Sequence, residues 1–152
     1  MFSVAILALL AAAATPYLEK TIQRKKEGEL RTHLREIRTA IDAYKKAADT
    51  GKITKPLGES GYPKRLEDLV LGVPNITDPQ KKKLRFLRRL PADPMYVSGS
   101  TYLDKAELKP TNTWGKRSYD SDADNPREGV DVYDVYSRNN QKGLNGVPYR
   151  QW

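Results

Sequence analysis

The hydrophobic pattern of the chain changes abruptly after its first 18 residues, MFSVAILALLAAAATPYL, which carry no charge. A helix that is apolar on all sides is typical of membrane insertion or burial in a helix bundle, because a surface helix has one polar face. At 1.5 Å per residue the stretch measures about 27 Å, slightly short of a bilayer core. We interpret it as a membrane-inserted or bundle-buried helix. A cleavable signal peptide, suggested by the small residues Ala11–Ala14, is the alternative.

Apolar residues then recur at steps of four and three, which predicts an amphipathic helix. The positions are Leu30, Leu34, Ile37, Ile41 and Tyr44. Gly51 suits the C-terminal cap of this helix. The two stretches together predict one helix from about residue 1 to 49, roughly 70 Å long, whose second half packs on a globular head. Pro16 removes one backbone hydrogen bond and is the predicted bending point.

Beyond residue 50 the pattern changes again. A loop rich in Gly and Pro over 51–63 leads to a short predicted helix at about 63–70. A second helix is predicted to begin at Asp78-Pro79, because aspartate caps helices and proline suits their first turn. Its apolar side would consist of Leu84, Phe86, Leu87 and Leu90.

The remainder of the chain has strand character at 113–119 and 130–137, with an acidic turn between the two segments. Tyr149 and Trp152 are expected to anchor an irregular tail. The predicted fold is therefore α+β, a long N-terminal α-helix packed by its second half on a small head with an antiparallel β-sheet. We divide it into an apolar half-helix (1–23), an amphipathic half-helix (24–50) and the head (51–152).

Composition adds a basic charge balance and the absence of cysteine. Lys and Arg total 27 against 19 Asp and Glu, and without cysteine neither disulfides nor thiolate metal sites can form. The strongest basic clusters are Arg24-Lys25-Lys26 and a group around Lys81, Lys82, Lys83 and Arg85. The second could contact a polyanion such as nucleic acid, although such runs are more often solvated. We expect the first to meet Glu19, Glu27 or Glu29 of neighbouring subunits.

Candidate chemistry is sparse. Asp120, Asp122 and Asp124 alternate in a way that loosely resembles a calcium loop, but the glycine and distal glutamate of an EF-hand are missing. A solvated acidic turn is the alternative, and no other cofactor is predicted. The single histidine, His33, has no partner at metal-ligand spacing. The sequence contains no nucleophile elbow, phosphate-binding glycine loop or Cys/His pair, so we do not predict an enzyme.

The order of these segments resembles the type IV pilin-like family, and most closely the major pseudopilins of type II secretion. The resemblance is carried by the apolar helix with its Ala-rich end and proline, by F-L-R-R-L-P-A-D-P at Phe86–Pro94, by T-W-G at Thr113–Gly115 and by D-V-Y-D-V-Y-S at Asp131–Ser137. Two features depart from the family. The glutamate-bearing segment that follows the family's prepilin-peptidase site is missing, so we expect a short stretch to precede Met1. The loop after the last strand has Asn139 and Asn140 in place of calcium-binding aspartates.

The resemblance implies a pilin fold and a structural role. Subunits of this family wait in the bacterial inner membrane, are processed by a prepilin peptidase, and join a homopolymeric helical filament in the periplasm or outside the cell through an assembly platform. The residues expected in the filament core are Phe2, Val4, Ile6, Leu7, Leu9, Leu10 and Pro16.

Two other functions stay open at the level of sequence. One is a DNA-binding pilin of an uptake system, and the other is a secreted basic protein with a residual signal peptide. Within the filament interpretation, a secretion pseudopilus and a surface pilus use the same helix, so the sequence does not separate them.

Overall fold

The computed structural model describes the backbone of residues 2–97 and 108–152, and side chains from Tyr17 onward within these ranges. One long helix, α1 (Phe2–Asp49), dominates the architecture. It ends where Gly51 adopts a positive φ of 69° and the N–H of Lys52 donates to the carbonyl of Ala47 at 2.9 Å. Only glycine adopts this left-handed conformation without strain, so the predicted helix and its cap are both confirmed.

Helix α2 (Glu67–Leu71) is shorter than the predicted segment 63–70 and lies later along the chain. It is followed by a hairpin of β1 (Val73–Pro74) and β2 (Lys83–Leu84), in which Val73 pairs with Leu84. Its strands form one of two small antiparallel sheets.

The helix predicted from Asp78-Pro79 onward is wrong, because this segment folds as the hairpin. The Asp78 side chain accepts the N–H of Gln80 within a tight turn, and Lys81 adopts a left-handed φ of 48°. Leu84 and Phe86, two residues apart, both pack against a small cluster of Ala47, Ala48 and Ile53. A spacing of two on one face belongs to extended chain, which explains why the apolar residues do not form a helical stripe.

The second sheet pairs β3 (Trp114–Arg117) with β4 (Asp134–Ser137), in the register Trp114–Ser137 and Arg117–Asp134. Short 3₁₀ turns at Pro110–Asn112 and Tyr149–Gln151 flank it in sequence. The main core lies between α1, α2 and β4, and Trp114, Leu66, Leu69 and Val135 are fully buried in it. The α+β class, the long N-terminal helix and antiparallel strand pairing are confirmed, although within the described ranges the strands form two sheets of two strands each.

Candidate assembly surface of the N-terminal helix

The second half of α1 is built into the head. Its side chains at the predicted positions Leu30, Leu34, Ile37 and Ile41 are buried in the main core, and Tyr44 packs half-buried against it. The rings of Tyr44 and Phe86 lie 5.3 Å apart between centroids. Because these positions recur every three or four residues, a single face of the helix makes all of these contacts.

An exposed apolar surface occupies the earlier turns of the same helix. Tyr17, Leu18 and Ile22 are 79%, 62% and 56% exposed. Isolated exposed apolar residues are common on protein surfaces, whereas a cluster of large ones marks an interaction site. Tyr17 and Leu18 end the uncharged stretch, and Ile22 lies one helical turn closer to the head.

The predicted filament-core residues precede this cluster. The side chains of Phe2, Val4, Ile6, Leu7, Leu9, Leu10 and Pro16 lie outside the described residues, and only their helical backbone is described. The helix continues through Pro16. Across the described residues, no helix combines the length and the hydropathy that a membrane crossing requires.

Glu27 marks the place where α1 enters the head. It is 6% exposed, and its Oε1 accepts hydrogen bonds from the Tyr149 hydroxyl at 2.8 Å, the Leu144 N–H at 2.8 Å and the Gln23 amide at 3.2 Å. Burial is the main cause that raises the pKa of Tyr149, and the Glu27 carboxylate adds to it while Gln23 opposes it.

The expectation that Glu27 pairs with cations of a neighbouring subunit is therefore wrong. Its carboxylate is used inside the protomer, since an unpaired buried charge would be costly. Glu19 and Glu29, in contrast, are exposed on α1 together with Arg24, Lys25 and Lys26.

The second basic cluster lies on the β1–β2 hairpin. Lys81, Lys82, Lys83 and Arg85 are all exposed, as are Arg88 and Arg89 shortly after them. Among the residues that the structure describes, none of these six side chains forms a salt bridge. The hairpin therefore presents a concentrated positive charge to solvent.

The acidic turn between β3 and β4 is exposed at Asp120, Asp122 and Asp124. The Asp122 carboxylate accepts the N–H of Asp124 at 3.3 Å, which is a local turn contact. In the described part of the chain, no three His, Cys, Asp or Glu side chains are grouped as a set of metal ligands. The structure thus does not bring the three predicted carboxylates together.

His33 packs at the junction of α1 with the loop after the hairpin. Its Nδ1 lies 3.0 Å from the carbonyl oxygen of Ala92, so in the tautomer protonated there it donates a hydrogen bond. This contact joins two segments that are 59 residues apart in sequence.

A cluster of three tyrosines is a feature that sequence reasoning missed, since the tyrosines look scattered along the chain. The rings of Tyr62, Tyr119 and Tyr133 contact one another, with centroid distances of 5.7 Å for Tyr62–Tyr119, 5.0 Å for Tyr62–Tyr133 and 5.5 Å for Tyr119–Tyr133. Edge-to-face and offset-stacked pairs of this kind are favourable. The pairing of β3 with β4 brings Tyr119 near Tyr133, and a hydrogen bond from the Val132 N–H to the Pro63 carbonyl at 2.8 Å places the Tyr62 segment beside them. No local pattern predicts these long-range contacts.

Comparison with known proteins gives no further constraint, because no family model, curated protein or solved structure matches the chain.

Proposed function

We propose that this chain is a structural subunit that polymerises through its N-terminal helix into a helical filament, of the type IV pilus or type II secretion pseudopilus kind. The observation that carries the proposal is the division of α1. From Glu27 onward the helix is built into the head, whereas Tyr17 and Leu18 at the end of the uncharged stretch, and Ile22 one turn later, are exposed. A pilin fold, with the head attached to one end of such a helix, agrees with this division.

The apolar half-helix has two successive environments in this proposal. Before assembly it lies in the bacterial inner membrane, where by family resemblance a prepilin peptidase and an assembly platform act on it. Once the helix leaves the lipid, its alternative to packing against identical helices is water. Burying each large apolar side chain then contributes about 1.5–3 kcal/mol, so the helices remain together along the filament axis.

The contacts between subunits are head-to-tail. An interface that joins two different surfaces of the same protein and does not close into a ring generates an open helical polymer. The work of the protein is then mechanical: the filament either pushes secreted proteins or extends from the cell as a surface fibre.

Leu9→Lys tests the role of the apolar half-helix. The substitution places a charge in the proposed axial bundle, where it would be desolvated without a partner, so we expect filaments to be lost. Electron microscopy of cells that assemble the full chain measures the result, and Leu9→Ile is the control that keeps the filaments. Normal filaments from Leu9→Lys would refute the proposal.

Negative-stain microscopy of the unsubstituted protein distinguishes the two kinds of filament. Long thin fibres at native expression indicate a surface pilus. Short fibres, or fibres that appear only on overexpression, indicate a secretion pseudopilus.

A further inference from the structure

The tyrosine cluster borders an open cleft in the head. The cleft has a volume of about 700 Å³ and is lined by the rings of Tyr62 and Tyr119 together with Glu59, Asp120 and Asp131. Tyr119 is 58% exposed, so a large part of its side chain is accessible to a partner. Tyr133 contacts both rings and supports them from outside the cleft. We call this surface the tyrosine cleft.

The charge of the tyrosine cleft is negative. Three carboxylates line it against one ammonium, that of Lys64, which pairs with Glu59 at 2.7 Å. Asp131 is occupied by hydrogen bonds from Ser60, Ser118 and the Tyr119 N–H. Asp120 is exposed and, within the described residues, forms no salt bridge. An aromatic ring beside an exposed carboxylate can bind an ammonium group, because the ring supplies cation–π attraction and the carboxylate a charge-assisted hydrogen bond.

The same chain presents a matching cation. The turn of the β1–β2 hairpin places Lys81, Lys82 and Lys83 in succession, and all three are exposed. They form no salt bridge to any described residue.

The hairpin and the cleft lie at the same level along α1. The hairpin residues Leu84 and Phe86 pack on the cluster that contains Ala47. The cleft residue Tyr62 lies beside Lys45 of the helix, whose ammonium is 5.6 Å from the centre of the Tyr62 ring.

We propose that the lysine turn of one copy docks in the tyrosine cleft of the next copy in the filament. This inference rests on the proposed function, because filament assembly is what places two heads side by side. The ammonium of Lys82 or a neighbouring lysine contacts the exposed Tyr119 ring and pairs with Asp120. Since the lysine turn and the tyrosine cleft are different surfaces of one head, the contact is heterologous and propagates along the filament.

The absence of cysteine makes a crosslinking test direct. The full chain carrying both Lys82→Cys and Asp120→Cys is assembled in cells and treated with a short bis-maleimide whose reach matches a lysine side chain. We expect a ladder of covalent oligomers on denaturing gels, because each subunit links to two neighbours. Either single-cysteine variant, and the matched pair Lys142→Cys with Asp120→Cys, should lose the ladder.

Three outcomes are informative. A ladder from the Lys82–Asp120 pair alone supports the proposal. Filaments that form normally without a ladder overturn it and leave the proposed function intact, and retardation of duplex DNA that is lost on neutralising Lys81–Lys83 would then assign the hairpin to nucleic acid. If the unsubstituted chain forms no filament under any assembly condition, the proposed function fails, and the inference fails with it.

Discussion

Two buried aspartates show how local contacts set opposite pKa shifts within one head. Burial raises the pKa of Asp93, and hydrogen bonds from the Ser137 hydroxyl at 2.6 Å and the Met95 N–H at 2.8 Å only partly oppose this. Burial also pushes the pKa of Asp131 upward, but donors from Ser60, Ser118 and the Tyr119 backbone together outweigh it, so that the pKa is lowered. Three hydrogen bonds lower each pKa, those to Asp93 coming from Ser137 and the backbone of Met95 and Arg138, so the balance between these donors and desolvation decides the direction.

These shifts predict opposite pH dependences for two variants. The stabilisation from Asp131 is present above the ordinary pKa of 3.8 and is lost as the pH falls through its lowered folded pKa. The contribution of Asp93 is largest below 3.8 and is lost as the pH rises through its raised folded pKa. The stability difference between wild type and Asp131→Asn should therefore shrink toward acid, whereas the difference for Asp93→Asn should shrink toward neutral pH.

Urea unfolding of the full chain in detergent micelles, followed by the fluorescence of Trp114 and Trp152, measures both differences across the acid range. At neutral pH, Asp131→Asn should cost about 1–3 kcal/mol, because it disturbs acceptors that three donors use. Slopes of the same sign for the two variants would contradict the assigned shifts.

At the scale of elements, the β1–β2 hairpin depends on a close approach of two backbones. Gly72, which follows α2, has φ 75° and ψ 158°, a conformation nearly restricted to glycine. A Cβ atom there would lie 2.7 Å from the Leu84 carbonyl oxygen and 2.8 Å from Cγ of Arg85. The glycine therefore lets β2 lie against the end of α2.

Gly72→Ala should destabilise the head more than Gly58→Ala does. Both glycines have a positive φ, but a Cβ at Gly58 meets nothing within 4 Å. The backbone collision at Gly72 should add about 1–3 kcal/mol to the shared cost of the left-handed conformation. Urea midpoints of the two variants measure the difference, and equal midpoints would show that the hairpin can move away without cost.

At the scale of the whole molecule, polar and aromatic contacts join α1 to the tail after β4. The Arg38 guanidinium binds the Asp134 carboxylate at 2.7 Å and the carbonyl oxygen of Trp152 at 2.8 Å. Arg31 lies over the Trp152 ring, 4.4 Å from its centre, and Glu27 accepts hydrogen bonds from Leu144 and Tyr149. These contacts of the tail therefore fix the head to α1, the helix through which the proposed filament assembles.

Glu27→Ala should weaken the packing of the tail on α1 and lower the free energy of unfolding. It leaves the Leu144 N–H and the Tyr149 hydroxyl without their acceptor in a buried place, which costs about 1–3 kcal/mol. Glu29→Ala, on the exposed face of the same helix, is the matched control and should change the free energy of unfolding by no more than about 0.5 kcal/mol. Equal losses in both variants would show that the buried contacts contribute nothing beyond helix propensity.

The long helix, its end at Gly51 and the helix face that packs on the head were all predictable from the sequence alone. These features depend on residues within one or two helical turns of one another. A spacing of three and four between Leu30, Leu34, Ile37 and Ile41 is therefore enough to predict the helix and its buried face. The anchoring of the tail by Tyr149 and Trp152 was also foreseeable, because large aromatic residues in a polar segment gain most from burial.

The tertiary structure decided what local pattern left ambiguous. Leu84, Phe86, Leu87 and Leu90 suit a helix as well as a strand, and only the pairing of Val73 with Leu84 selects the extended form. The hydrogen bond between Glu27 and Tyr149 joins residues far apart in sequence. The ring contacts of Tyr62 with Tyr119 and Tyr133 do the same. Such contacts form only after the chain has closed long loops, so no short-range periodicity encodes them.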